Sequence, residues 1–207
     1  MCVTKTDTYG MTDTKSLFLN EDIRCGGFYE LCIQASPTVD TISLQAYNDF
    51  FWSLDNVSGP YSDKFESLSI DIDNYTQEGI LIIVDRPLPF KQFNIREANP
   101  IETGFNWFDI SFYTSTIEHV FQLEPQHWSG NPNVPPSLQE FLLDTMKRLF
   151  KLHPFLLAFI DFEISGQYYL HELKGDLNNW TSTKFFTGRQ HADSIKQEYK
   201  DLVTFLD

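Results

Sequence analysis

Apolar residues recur along the chain at two spacings, and each spacing predicts one type of element. Spacings of three and four residues, typical of one face of a helix, occur in residues 37–55, 138–152 and 195–206. Alternating or continuous apolar runs, typical of strands, occur in residues 28–33, 68–72, 79–85, 105–113 and 155–164. Residues 182–187 predict a further strand. Because strands and helices do not alternate regularly, the order predicts the α+β class, with an antiparallel or mixed β-sheet packed by about four helices.

Polar residues mark where three helices are predicted to begin. In a capping box, the side chains of the first residue and of the residue three positions later each satisfy an amide at the helix start. Three pairs have this spacing: Ser115 with Glu118, Ser137 with Glu140, and Ser194 with Gln197. The first of these pairs predicts a short helix that ends near Phe121.

Other segments have no periodicity and predict irregular structure. Residues 1–22 are polar, which predicts a loose N-terminal arm or an irregular cover on a single α+β domain of residues 1–207. Pro87 and Pro89 are predicted to end a strand, with residues 90–103 as a connection or a connection that includes a short edge strand. Four prolines in residues 125–136 predict an exposed crossing, which is the only plausible domain seam.

A hairpin is predicted from the dense run of residues 155–164. Ser165 and Gly166 have the composition of a two-residue turn, and residues 167–173 would be the returning strand. That register places Asp161, Glu163 and Glu172 on one face of the hairpin. A loop one residue longer would shift the pairing, so this carboxylate face depends on the turn.

Composition and charge limit the class of partner. The 207-residue chain is 42% hydrophobic and 15% aromatic, which predicts a globular, soluble protein rather than a disordered one. With 15 basic and 29 acidic residues its formal net charge is −14. This field would repel a phosphate backbone, so nucleic acid is not an expected partner. The close basic residues Lys147, Arg148 and Lys151 are accounted for by the end of a helix.

Cysteine count and hydropathy predict a cytoplasmic protein. The three cysteines form no CxxC pair and no regular framework, which favours a reducing compartment. No signal peptide and no apolar run of the length that spans a membrane is recognisable, so no membrane interaction is expected.

One constellation of residues suggests chemistry. Asp161 and Glu163 are followed by His171, Glu172 and Lys174, and the motif Glu172-Leu173-Lys174 resembles the metal site of restriction-endonuclease-like nucleases. The resemblance implies that Asp161, Glu163 and Glu172 hold Mg or Mn while Lys174 positions water. The proline usual before the first acidic residue is replaced by Ile160. The favoured alternative is a solvent-facing hairpin whose charges protect a sheet edge.

Aromatic residues in predicted loops suggest binding. Trp128 and His127 lie in the proline-rich segment, and Tyr61 follows a Gly-Pro turn. Together with Trp52, Trp128 and Tyr61 are candidate contacts for a protein partner, whereas His127 is a candidate ligand or acid-base group. A pocket beside Trp107 and Phe108 would instead indicate a small-molecule binder.

Four segments together resemble a family of uncharacterised bacterial proteins. They are residues 25–31 (CGGFYEL), 59–61 (GPY), 107–109 (WFD) and 160–166 (IDFEISG). The resemblance covers most of the chain and carries no activity to transfer. It implies a bacterial cytosolic origin and a single conserved architecture.

The sequence alone does not establish a function. The leading expectation is a small acidic cytosolic protein that acts by protein–protein interaction, in the manner of an immunity protein that neutralises a basic partner, with no catalytic site and no cofactor. The alternatives are a metal-dependent hydrolase that uses the hairpin carboxylates and a small-molecule binding module. The oligomeric state is left open.

Overall fold

Eight strands form one mixed sheet in the computed structural model, which describes residues 11–97, 104–130, 132–164, 166–175, 177 and 183–207. In chain order the strands are β1 (Phe28–Pro37), β2 (Val57–Tyr61), β3 (Thr76–Ile83), β4 (Arg86–Arg96), β5 (Phe105–Tyr113), β6 (Leu157–Phe162), β7 (Phe185–Gly188) and β8 (Val203–Leu206). Their order across the sheet is β2-β3-β4-β5-β1-β6-β7-β8. Neighbouring strands are antiparallel except β7 and β8, which are parallel. The predicted α+β class and mixed sheet are confirmed.

Five α-helices and three short 3-10 helices accompany the sheet in the described residues. The α-helices are α1 (Met11–Phe18), α2 (Ile42–Trp52), α3 (Thr114–Phe121), α4 (Pro136–Leu152) and α5 (Leu170–Lys174). The 3-10 helices are Glu21–Ile23, Arg189–His191 and Gln197–Leu202. The sheet is large relative to the helices, and no helix of the described residues is long and apolar enough to cross a membrane.

The two faces of the sheet are covered differently. On one face, Leu31 and Ile33 of β1 and Phe108 and Ile110 of β5 share a core with the buried stripes of α2 and α4. On the other face a smaller core lies toward β7. It contains Cys32, Trp107, Phe159, Phe185, Leu170, Leu173 and Ile195. Because successive side chains of a strand point to opposite faces, both cores draw on β1 and β5.

Strand β4 corrects the prediction that Pro87 and Pro89 end a strand. A two-residue turn at Val84 and Asp85, both with positive φ, joins β3 directly to β4. Residues that flank such a turn form a hydrogen-bonded pair, and the pairs alternate from there. Pro87 and Pro89 therefore occupy positions where β3 needs no amide donor. Pairing with β5 begins only at Lys91.

The predicted hairpin after β6 is wrong. Strand β6 has β1 and β7 as its neighbours. Leu170 and Leu173, three residues apart and both buried, lie instead on helix α5. The backbone amide of Tyr169 donates to Glu172 Oε2 at 2.9 Å and stabilises the start of that helix. The long-range pairing of β6 with the ten-residue β1 thus replaces the local pairing that Ser-Gly suggested. Of that turn, Ser165 lies outside the described residues.

Several smaller predictions also need correction. Residues 68–72 form no strand, since Leu68 and Ile70 are exposed. The last predicted helix is a 3-10 helix followed by β8. Residues 1–10 lie outside the described residues, but the rest of the predicted loose arm forms α1 and a 3-10 helix. The buried Phe18 ring contacts Tyr61 and Phe65.

None of the three predicted capping boxes forms at a helix start. Helices α3 and α4 begin after Tyr113 and Pro135, and neither of these residues makes a side-chain capping bond. Ser194 is followed by the 3-10 helix that begins at Gln197. Helix α4 starts with a proline, whose missing amide hydrogen would have had no partner there in any case. The helices themselves are confirmed for residues 114–121 and 136–152.

Candidate functional site

The predicted carboxylate face is not formed, because Asp161, Glu163 and Glu172 each accept a hydrogen bond from a different part of the chain. Asp161 Oδ2 accepts a hydrogen bond from Thr183 Oγ1 at 3.0 Å. Glu163 Oε1 accepts from the amide of Phe28 at 2.6 Å, while Glu172 accepts from the amide of Tyr169. Lys174 lies exposed at the end of α5. Among the described residues no group of three or more His, Cys, Asp or Glu side chains is placed to hold a metal ion.

The predicted contact aromatics are mostly in the core. Trp128 is 5% exposed and its indole donates to Glu118 Oε1 at 2.8 Å, so the expectation of an exposed indole is wrong. Trp52 is 8% exposed and covers the sheet beside Phe90, with ring centroids 5.4 Å apart. Tyr61 is half-buried and stacked on Phe65. These three rings therefore stabilise the fold.

The remaining predicted residues do not converge on one site. His127 is exposed in the segment between α3 and α4, and His171 is exposed on α5 with its ring 5.3 Å from that of Tyr169. Trp107 and Phe108 are both buried, but they are adjacent in β5 and belong to cores on opposite faces of the sheet. Their side chains therefore point to opposite sides of the sheet.

The site that the structure does form lies on the sheet face opposite α2 and α4. It is a hollow of about 250 Å³ that we call the aromatic trough. Its lining residues are Phe28, Glu30, Tyr75, Phe93, Ile95, Glu163 and Gln167. None of these seven described residues is cationic. The trough combines two carboxylates with a mostly aromatic wall.

Aromatic rings from different parts of the chain form that wall. The ring centroids of Phe28 on β1 and Phe93 on β4 lie 6.0 Å apart, edge to face. The ring of Tyr75, which precedes β3, lies 5.6 Å from Phe93 in the same arrangement. Strand β5 runs between β1 and β4, and its register places Ser111 and Asp109 at this level. Because those side chains are small, the larger rings can meet above them.

Glu30 forms part of the floor and is only 3% exposed. Its Oε1 accepts a hydrogen bond from the amide of Ile164 at 2.8 Å, and its Oε2 accepts from Ser111 Oγ at 2.9 Å. Buried carboxylates require such partners, because desolvation of the charge is costly. The two bonds hold the carboxylate in a fixed position beneath the rings.

Glu163 stands at the rim, where its side chain is exposed. Its backbone has φ of 52°, a left-handed conformation that side-chain-bearing residues rarely adopt. The backbone amide of Glu163 donates to the carbonyl of Phe28 at 2.8 Å, and the amide of Phe28 donates back to its carboxylate. Gln167 Nε2 also donates to the Glu163 carbonyl. These bonds fix a strained residue at the edge of the trough.

Another carboxylate, that of Glu97 directly after β4, holds two aromatic residues on the same face of the sheet. Glu97 Oε1 accepts hydrogen bonds from the Trp107 indole at 2.9 Å and from the Tyr169 hydroxyl at 2.6 Å. Burial and the adjacent Glu97 carboxylate raise the pKa of Tyr169 to about 12. The neutral hydroxyl therefore remains a donor, and it anchors the segment that follows Gln167.

Cations already lie between rings and carboxylates beside the trough. The guanidinium carbon of Arg24 lies 4.8 Å from the Phe18 ring centroid, and its Nη1 lies 2.8 Å from Glu78 Oε2. Lys91 Nζ lies 5.6 Å from the Tyr113 ring centroid and 3.1 Å from Glu78 Oε1. Burial lowers the pKa of Lys91, but the Glu78 carboxylate outweighs it and the net shift is upward.

A wider hollow at the β3–β4 turn is less suited to recognition by charge. It has a volume of about 380 Å³ and includes Val84, Phe121 and Leu123 in its lining. Among the eight described residues that line it, Arg86 has the one ionisable side chain. Arg86 Nη1 donates to the carbonyl of Val120 at 2.7 Å. Its cation is therefore partly engaged by the protein itself.

The trough was missed by sequence reasoning for an identifiable reason. Phe93 and Ile95 belong to β4, a strand that the two prolines concealed. Phe28 and Glu30 did alternate visibly on one face of β1, so two of the seven lining residues were readable as a pair. Tyr75 lies in the loop before β3, and no sequence pattern predicts that this loop reaches the trough.

Comparison with protein-family models, with curated proteins and with solved structures found no match to this chain. The resemblance to uncharacterised bacterial proteins therefore stays a prediction. The aromatic trough is the structural feature that suggests a function.

Proposed function

We propose that the protein is a non-catalytic acidic module that binds a basic protein partner, in the manner of an immunity protein. The observation that supports this is the aromatic trough, in which Glu30 and Glu163 flank a wall of rings. It belongs to a chain with a formal net charge of −14. A positively charged surface would be drawn toward such a molecule as a whole.

Rings and carboxylates contribute differently to an interface of this type. Aromatic side chains concentrate binding energy when a partner covers them. Charges of opposite sign speed association and select the partner, more than they add affinity. The exposed Tyr75 and Glu163 are accessible for both effects. Binding to a basic active site of a partner enzyme would neutralise that enzyme.

The alternative of a metal-dependent hydrolase has less support. Glu172 lies on α5, where its carboxylate holds the amide of Tyr169, and Glu163 holds the amide of Phe28. The two carboxylates thus bind different segments, and with Asp161 they form no metal-holding group among the described residues. A small-molecule binder would use the same trough. Whether the bound ligand is a protein or a small molecule distinguishes this alternative from the proposal.

Affinity capture with matched variants tests the proposal. Glu163→Lys and Glu140→Lys change the net charge equally, but Glu140 lies exposed on α4, on the opposite side of the sheet. A basic protein should be retained by the unmodified chain and by Glu140→Lys, and lost by Glu163→Lys. The captured protein is then purified and its affinity for all three chains is measured by calorimetry. Equal affinity for the two variants, or an acidic captured protein, would refute the proposal.

A further inference from the structure

We infer that the aromatic trough is a receptor for a single guanidinium group, the side chain of an arginine presented by a protein partner. This inference names the ligand chemistry at the site on which the proposed function rests.

The trough has the form of a side-chain receptor. Its volume of about 250 Å³ lies below the usual range for pockets that enclose a whole drug-sized ligand, roughly 300–1,000 Å³. Its rim is open, since Tyr75 is 58% exposed and Glu163 is exposed as well. A ligand that inserts one group and continues into solvent fits this shape. An arginine on a protein surface is such a ligand.

The rings favour a planar cation. A guanidinium stacks on aromatic faces and is more weakly hydrated than an ammonium, so it loses less on leaving water. Phe28, Phe93 and Tyr75 supply three rings around the hollow, joined by edge-to-face contacts of 6.0 and 5.6 Å. An anion would meet the negative faces of these rings.

The carboxylates supply the opposite charge. Glu163 Oε1 accepts one bond from the Phe28 amide, whereas an ionised carboxylate has about four acceptor positions. Glu163 can therefore receive a guanidinium without losing its own contact. Glu30 contributes negative charge from the floor, where burial limits screening by salt.

The same chemistry already operates within the protein. Arg24 lies between the Phe18 ring and Glu78, at 4.8 Å and 2.8 Å respectively. The trough has the same pairing of ring and carboxylate, but none of its seven described lining residues is cationic. An arginine of a partner would complete the same pairing in the trough.

The test uses N-acetyl-arginine amide as the probe and N-acetyl-citrulline amide as its uncharged counterpart. Each is titrated into the full chain, and backbone amide chemical shifts are followed by NMR. Arginine amide should bind with a Kd on the order of 1 mM and shift the amides of Phe28 and Ile164. Citrulline amide should bind at least about tenfold more weakly. Equal binding of both probes, or shifts confined to another surface, would overturn the inference.

Variants separate the role of the carboxylate from that of the rings. Glu163→Gln retains an acceptor for the Phe28 amide and should weaken arginine binding by about tenfold. Tyr75→Leu removes an exposed ring and should weaken it by about threefold. Glu140→Gln is the control and should bind as the unmodified chain does. If Glu163→Gln and Glu140→Gln bind the probe equally well, the trough is not the receptor.

The two proposals can fail separately. If the arginine probe does not bind but a purified basic protein does, the trough inference is wrong and the proposed function stands. If the probe binds in the trough but a captured partner binds Glu163→Lys and Glu140→Lys equally, the proposed function is wrong and the receptor stands.

Discussion

At the scale of single residues, the trough depends on a crowded junction between the start of β1 and the end of β6. Glu163 and Phe28 exchange backbone and side-chain hydrogen bonds there, and Gly27 lies directly beneath them. A Cβ atom added to Gly27 would collide with the Glu163 carboxylate and the Phe162 ring. The absence of a side chain at Gly27 permits this close approach.

Gly27→Ala should lower the free energy of unfolding by about 2 kcal/mol, because the ring and carboxylate must move apart. Chemical denaturation with urea measures this change. Gly175→Ala is the control, since among the described residues a Cβ there would meet the His171 carbonyl alone, at an ordinary contact distance of 3.4 Å. Similar stabilities for both variants would mean that the junction is not closely packed.

Tyr169 gives a prediction about pH. Its pKa is raised from 10.0 to about 12, first by burial and then by the Glu97 carboxylate. The unfolded chain loses this proton near pH 10 while the folded chain keeps it, so stability falls as pH rises from 10 toward 12. Unfolding free energies measured across this range should fall more steeply for the unmodified chain than for Tyr169→Phe. Parallel curves would refute the raised pKa.

At the scale of elements, local patterns predicted most elements but not their partners. The aromatic strand of residues 105–113 is confirmed to the residue, and helix α4 lies where its apolar stripe indicated. Strand β4 was not predicted, because proline usually ends a strand. Proline disrupts a strand only at positions where a neighbouring strand needs a hydrogen bond from its backbone amide. The turn at Val84 and Asp85 contains neither glycine nor asparagine, the residues usual at such turns. Long-range pairing of β1 with β6 left no trace in the local sequence.

A buried amide network joins α2 to β3 and β4, and it gives a prediction at this scale. Asn48 Nδ2 donates to Asn94 Oδ1 at 2.8 Å, and Gln92 Nε2 donates to the same oxygen at 2.9 Å. Asn94→Ala would leave two buried donors without this acceptor. Its free energy of unfolding should fall by about 2–4 kcal/mol, because each buried donor costs roughly 1–3 kcal/mol.

Thermal or urea unfolding measures the effect of the network. The matched control is Asn133→Ala, an exposed asparagine in the segment before α4, which should change stability by less than about 0.5 kcal/mol. A loss for Asn94→Ala no larger than for the control would show that the amide network is dispensable.

At the scale of the whole molecule, net charge and the trough act over different distances. The formal net charge of −14 follows from the composition, and it predicted an acidic protein that binds a basic partner. The trough could not be predicted, because its lining residues come from β1, β4, the loop before β3 and the segment after β6, which only tertiary packing brings together. Under the proposed function, long-range attraction would bring a basic surface close, and the rings with Glu163 would then select one group on it. On this proposal, the trough itself selects the partner's side chain, and the net charge of the whole molecule does not.

The most direct test is the affinity of a short peptide with one arginine among glycine and serine residues, measured by calorimetry with three chains. Glu163→Lys and Glu140→Lys alter the net charge by the same amount. We expect Glu140→Lys to bind within about twofold of the unmodified chain, and Glu163→Lys to lose at least about tenfold in affinity. Equal losses in the two variants would show instead that net charge alone explains binding.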